Sequence, residues 1–195
     1  MRLVVDTSKV GLFEGDRLVY SGVVPNLEKF LEGKTIEKGL IVGSALPSVQ
    51  FPCQLLPSSE KPLIYGAVKF FPVNDCVVVD VSTTVQFHLI TRQGKTLGGS
   101  QLFLGNIPEN LPPALGHTLE EQKQSGSFFG LLGAIERIVS ELRLSAENPM
   151  SVMAVATGSL THNAALRSAL EEFVDKVEPD LTLIGMNEIL KEENV

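Results

Sequence analysis

The sequence predicts a mixed α/β protein, and three observations carry that prediction. Residues 1–42 read as short apolar runs separated by tight-turn residues and one capped helical stretch, a βββαβ opening. Val77–Gly99, VVVDVSTTVQFHLITRQGKTLGG, runs an apolar strand into Asp80, passes a Ser/Thr turn, and continues as a second extended run to a turn at Gln93-Gly94 and a glycine pair. From about Leu119 to Leu142 apolar and small residues recur at helical spacing, and a strand, a glycine turn and a helix follow between Val152 and Val174.

Taken in order, Arg2–Val5 is predicted as a buried strand, Lys9–Phe13 as its partner across the tight turn Asp6-Thr7-Ser8, and Arg17–Ser21 as a third strand after Glu14-Gly15-Asp16. Asn26 N-caps a helix over Leu27–Leu31, and Gly39–Val42 is a short strand ending in Gly43-Ser44-Ala45. Residues 46–76 carry Pro47, Pro52, Pro57, Pro62 and Pro72, a density that argues against long helices and predicts an irregular connector of short extended pieces.

Residues 102–110 read as loop, and Pro112-Pro113 opens another irregular connection. On the long helix Gly126, Gly130 and Gly133 form a smooth stripe at i, i+4 and i+7. Each glycine costs about 1 kcal/mol of helix propensity, which a close contact within the chain or between subunits would offset. Val152–Ala156 is a buried strand running into Thr157-Gly158-Ser159 and a helix over Asn163–Val174; such a turn lets an anion or nucleotide edge approach unsatisfied N–H groups. Asp180–Leu183, Gly185 and a helix over Met186–Glu193 close the chain.

Composition narrows the function classes. Sixteen Lys+Arg against 23 Asp+Glu give a net charge of -7, and no basic cluster follows a phosphate backbone, so nucleic acid is not an expected partner. Cys53 and Cys76 lack metal-ligand spacing and read as core thiols of a reducing compartment. Met1–Val5 meets Asp6 without a longer apolar stretch, and Phe128–Val139 is broken by glycines, Glu136 and Arg137. Neither a signal peptide nor a membrane span is expected, and a cytoplasmic location is the default. Within Val77–Gly99, Asp80 and the hydroxyl residues after it suit Mg²⁺ or a phosphate, or else form a hairpin with a solvated turn.

Several segments, in this order, carry a resemblance: VVVDVSTT, GKTLGG, EEQKQSGSFFGLLGAIERIV, AVATGS and VEPDLTLIGMNEIL, with GLFEGDRL and GLIVGSALPSV before them. Together they resemble the type III pantothenate kinases of the actin-like, Hsp70-like, sugar-kinase superfamily, over nearly the whole chain but weakly between 46 and 76. The resemblance implies ribonuclease-H-like mixed sheets flanked by helices, an actin-like ATPase architecture in reduced form. It implies an N-terminal lobe with connector at 1–76, a C-terminal lobe at 77–195, and a homodimer built on the helix from Glu121 to Leu142. The implied activity is phosphorylation of pantothenate in coenzyme A synthesis, with ATP, Mg²⁺ and a monovalent cation, K⁺ or NH₄⁺. LVVDTS is also similar to the start of the small kinase-fold subunits that scaffold tRNA threonylcarbamoylation, which the C-terminal segments do not follow.

Residue by residue, the resemblance assigns phosphate or nucleotide contacts to Asp6, Ser8, Lys9, Asp80, Ser82, Thr83, Thr84, Gly98, Gly99, Gly158 and Ser159, metal to Asp6 and Asp80, and substrate contacts to Gly66, Lys69 and Thr118. The departures are as informative. The first phosphate turn lacks the family's Gly-Asn-Thr and is several residues shorter, leaving Lys9 as a point charge. Ser82 replaces a glycine and would be strained at positive φ, Thr84 replaces an alanine, and His88 stands in place of an Asp as a structural residue. The family's Gly-x-Asp-Arg falls on Gly66-Ala67-Val68-Lys69, so Val68 occupies the general-base position and the helix that normally follows the motif is expected to be missing. The substrate-contacting Thr falls on Leu119, one residue from Thr118.

Two functions follow. One is a catalytically degenerate kinase homologue acting as a binding or partner subunit, as a homodimer or with a full-length kinase paralogue, with or without nucleotide. The other is an active ATP-dependent pantothenate kinase with a compact site.

Overall fold

The computed structural model describes residues 1–7, 9–43, 49–104 and 107–192. Its elements run β1 (Arg2–Asp6), β2 (Lys9–Glu14), β3 (Arg17–Val23), α1 (Leu27–Leu31), β4 (Lys38–Val42), β5 (Cys53–Leu56), α2 (Glu60–Phe70), β6 (Cys76–Val81), β7 (Thr84–Ile90) and β8 (Thr96–Phe103). There follow α3 (Leu119–Leu144), β9 (Met153–Thr157), a 3-10 turn at Ser159–His162, α4 (Ala164–Leu170), β10 (Lys176–Val177) and α5 (Leu181–Glu192). They form two compact units, Met1–Phe70 with Asp180–Val195, and Phe71–Pro179.

The first unit is a five-stranded sheet in the order β3-β2-β1-β4-β5, with β2 antiparallel and β4 parallel to β1. Its central strand is apolar on both faces, as a strand with cover on both sides must be, while edge strand β3 alternates half-buried and exposed positions. On one face Val4, Phe13 and Leu40 pack with Leu183, Met186, Ile189 and Leu190 of α5; on the other Leu3, Val5, Leu12 and Ile41 pack with Leu27, Phe30 and Phe51. Each such side chain contributes about 1.5–3 kcal/mol by leaving water. Asn26 caps α1 as its sequence predicts, its Oδ1 accepting from Lys29 N at 2.9 Å.

The second unit repeats the pattern in the order β10-β9-β6-β7-β8, with β7 antiparallel and β9 parallel to β6. Val77, Val79, Val81 and Phe87 face Phe128, Leu131, Ile135 and Val139 of α3, whose spacing makes one apolar stripe, with Leu166 and Leu170 of α4 beside them. α3 begins in a capping box: Thr118 Oγ1 accepts from Glu121 N at 3.2 Å, and Glu121 Oε2 accepts from the N–H groups of His117 and Thr118 at 2.7 and 3.0 Å. Two mixed sheets flanked by helices are the predicted fold class.

Three expectations change. Residues 46–76 contain the eleven-residue α2, because Pro62 falls in its first turn, where a missing N–H breaks no helical bond. β8 extends through Leu102 and Phe103, which the sequence reads as loop. α5 packs on the sheet of the first unit, whereas the sequence reading groups all of 77–195 together.

Candidate functional site

In the second unit the strand ends bring several predicted residues together. Asp80 pairs with Gln86 across the β6–β7 hairpin and with Thr157 of parallel β9, so the turn after β6 and the turn after β9 lie side by side. Ser82 Oγ donates to Asp80 Oδ1 at 2.7 Å and accepts from Ser159 N at 3.3 Å, while Ser82 N donates to Thr84 O at 3.0 Å. Gly158, at φ 102°, passes so near Asp80 that a Cβ on it would run into Asp80 Oδ1 and stand 2.5 Å from Val81 O. Buried Thr161 completes the turn, its Oγ1 donating to Gly158 O at 2.6 Å.

Asp80, Ser82, Gly158 and Ser159 are therefore one cluster. Thr83 is exposed at the hairpin tip and Thr84 opens β7. Gly98 and Gly99 sit farther along the ladder, opposite Leu89 and His88, and do not join the cluster. Among described non-glycine residues only Thr7 has positive φ, at 57°, so Ser82 carries none of the expected strain: a three-residue turn between paired Val81 and Val85 leaves it in an ordinary conformation. His88 faces Val78 and Gly99 along the ladder, and its Nε2 is buried without a hydrogen bond. One half-buried carboxylate with a hydroxyl on one oxygen fits a Mg²⁺ that keeps waters and takes the rest of its shell from phosphates. No group of three metal-ligating side chains occurs among the described residues.

In the first unit the corresponding hairpin is tighter. Asp6 and Lys9 are direct partners at the ends of β1 and β2, with Thr7 between them and Ser8 lying outside the described residues. Asp6 Oδ1 accepts from Ser59 Oγ at 2.9 Å. Lys9 Nζ lies 2.8 Å from Asp180 Oδ1, which also accepts from Ser21 Oγ at 2.5 Å. Two intervening residues cannot wrap N–H groups around a phosphate, so this turn does not fit the implied phosphate site. Ser21, Ser59 and Asp180 escape sequence reasoning because they lie in other elements, Asp180 159 residues beyond Ser21.

Gly66-Ala67-Val68-Lys69 lies in the last turns of α2, and after Phe70 the chain runs to β6 with no helix between them, as the sequence predicts. Gly66 is buried where α2 crosses α5, a Cβ there standing 2.5 Å from Leu181 O, and Gly185 of α5 passes closer still to Pro62 O. Val68 is half-buried, and Lys69 Nζ pairs with Glu188 at 3.3 Å and Asp16 at 4.0 Å. Lys191 joins Asp16 and, at 2.6 Å, Glu188. Its hydrogen bond and charge hold the Asp16 carboxyl below the usual range. Burial works against the charged lysine, but the hydrogen bonds it donates to Asp16 and Glu188 outweigh it and raise the Lys191 pKa. Thr118 is occupied in the α3 capping box.

No protein-family model matches the chain. It is 25% identical over 201 residues to a type III pantothenate kinase of Porphyromonas gingivalis, covering 90% of this chain and 80% of that protein. It is 27% identical to one of Dehalococcoides mccartyi, covering 93% and 76%, and 33% identical to one of Jannaschia sp., covering 60% and 49%. Among solved structures, a Baf family transcriptional activator from Campylobacter jejuni superposes with TM-score 0.53 at 16% identity over 99% of this chain and 98% of that one. The ADPNP-bound activator of the 2-hydroxyisocaproyl-CoA dehydratase from Clostridium difficile gives 0.53 at 12% identity over 98% and 95%. By sequence the chain is similar to the type III pantothenate kinases, and its fold is an actin-like α/β fold.

Proposed function

We infer that this chain is a non-phosphorylating relative of the pantothenate kinases that acts as a binding or partner subunit. The observation that carries the reading is the state of Gly66–Lys69: the glycine is buried in a helix crossing, Val68 stands where the resemblance puts the general base, and Lys69 is engaged by Glu188 and Asp16. Phosphoryl transfer from ATP to the pantothenate hydroxyl requires that the hydroxyl lose its proton, and valine accepts none; loss of a general base costs about 10²–10⁴-fold. The tight Asp6–Lys9 hairpin supports the same reading.

The Asp80–Ser82–Gly158–Ser159 cluster favours a second reading, a compact active kinase using ATP, Mg²⁺ and a monovalent cation. One assay separates the two. With pantothenate, ATP, Mg²⁺ and K⁺, the first predicts no phosphopantothenate above the no-protein control, and formation at ordinary enzyme rates overturns it. Calorimetry with MgATP tests nucleotide retention separately.

The partner is a second copy of the chain, meeting it along α3. A Cβ added at Gly126, Gly130 or Gly133 would touch nothing within 4 Å, and Phe129 on the same face is 41% exposed. A kinase paralogue is the other candidate. Light scattering reads the assembly: a dimer that Gly130→Glu converts to monomer supports the homodimer, and a monomeric parent chain overturns it.

A further inference from the structure

The edge of a sheet leaves a row of N–H and C=O groups unpaired, and folded proteins blunt such edges with brevity, charge, proline or a bulge. Among the described residues β10 is two residues long, β5 has four between Pro52 and Pro57, and β3 begins at Arg17 and meets β2 through a bulge at Leu12/Phe13. β8 is the edge without such protection. Thr96–Phe103, TLGGSQLF, runs eight residues with no charge and no proline; its register shift lies at the start, beside Ile90, and Gly98–Phe103 pair regularly with β7. Leu97, Gly98, Gly99, Ser100, Gln101 and Phe103 are exposed, and among the described residues nothing hydrogen-bonds to the outer edge of the strand.

We infer that β8 pairs, antiparallel, with β8 of a second copy of the chain about a two-fold axis at Ser100, so that the sheets of two second units run on as one. In that register the strand is complementary to itself. With Ser100 opposite Ser100, Leu97 falls opposite Phe103, Gly98 opposite Leu102 and Gly99 opposite Gln101, and the symmetry makes each pair twice. Leu97 and Phe103, 51% and 79% exposed, thus cover each other at both ends, an aliphatic–aromatic pair of the kind that steadies antiparallel strands. Each bare glycine receives a long side chain rather than another glycine. No like charges meet, and in a chain of net charge -7 an uncharged strand is where two copies approach with least repulsion. α3 covers one face of this sheet while β8 is its edge, so this contact is separate from the α3 contact and does not depend on it.

The test is disulfide trapping in the full chain carrying Cys53→Ser and Gly130→Glu, which remove the half-buried thiol and block the α3 contact. In this background Ser100→Cys puts a thiol on the two-fold axis. Mild oxidation is expected to link it into a dimer about tenfold faster than Thr83→Cys, which puts one at the exposed tip of the β6–β7 hairpin. Adding Leu97→Lys and Phe103→Lys sets lysine opposite lysine and is expected to slow trapping to the Thr83→Cys rate; mixing that chain with one carrying Leu97→Glu and Phe103→Glu is expected to restore it. The inference is overturned by equal rates for Ser100→Cys and Thr83→Cys while both melt cooperatively, the result expected if the edge takes a strand of another protein or none. Trapping that the paired lysines leave unchanged, or a mixture that traps no faster than either charged chain alone, overturns it too. Because Gly130→Glu is present throughout, failure of the α3 dimer leaves this inference standing, and failure to trap Ser100→Cys overturns this inference alone.

Discussion

Gly185 of α5 lies against the carbonyl of Pro62 in α2, closer than any Cβ could be accommodated without displacement of one helix. Gly185→Ala is therefore an overpacking change at a backbone contact. It is expected to destabilise the first unit by about 2–3 kcal/mol, read as a lower urea midpoint at unchanged slope.

A second test concerns the turn pair in the other unit. Gly158→Ala must both hold φ 102° and clear Asp80, so the loss is expected to reach about 2 kcal/mol or more. Ser82→Ala removes one bridging hydroxyl and should cost about 1 kcal/mol. If thermal melts rank the two in the opposite order, the turns do not meet as described.

The α3 cap makes a pH prediction. Backbone N–H groups of His117 and Thr118 hold the Glu121 carboxyl below its ordinary value of 4.5. A carboxylate depressed in the folded state contributes stability that is complete above its unfolded pKa and is lost as pH falls through the folded one. Between about pH 5 and pH 3 the parent chain is thus expected to lose this contribution, and Glu121→Gln to lack that part of the slope. Thr118→Ala should cost about 1 kcal/mol at neutral pH.

The thiols differ in reach. Burial pushes the Cys76 pKa up to about 12, and burial also raises that of half-buried Cys53. Thiolate is the reacting form, so iodoacetamide at pH 8 is expected to leave Cys76 unmodified in native protein and to label Cys53 first. Mass spectrometry of the native and urea-unfolded chain reads the difference.

What the sequence could express was local. Arg2–Val5, the Asn26 cap, the apolar stripe of α3 and the strand before Gly158 all announce themselves through neighbours a few residues away, and each forms within about two residues of its expected limits. The Asp80–Gly158 meeting was half legible: both turns carry a signal, but only the parallel β6–β9 pairing puts them side by side. α2 was obscured because proline density counts residues and ignores position, and Pro62 occupies the one turn of a helix that tolerates it. The Lys9–Asp180 contact had no local signal at all, since it exists only once α5 is laid over Gly11.

The return of α5 to the first sheet has a consequence for synthesis. Phe71–Pro179 is an insertion between two parts of one unit, so a chain leaving the ribosome can finish the second unit while the first still lacks a wall. Until Asp180 and α5 emerge, Val4, Phe13 and Leu40 have no helix above them and Lys9 has no Asp180. The unit begun first is thus completed second, and α5 is the element that closes its core.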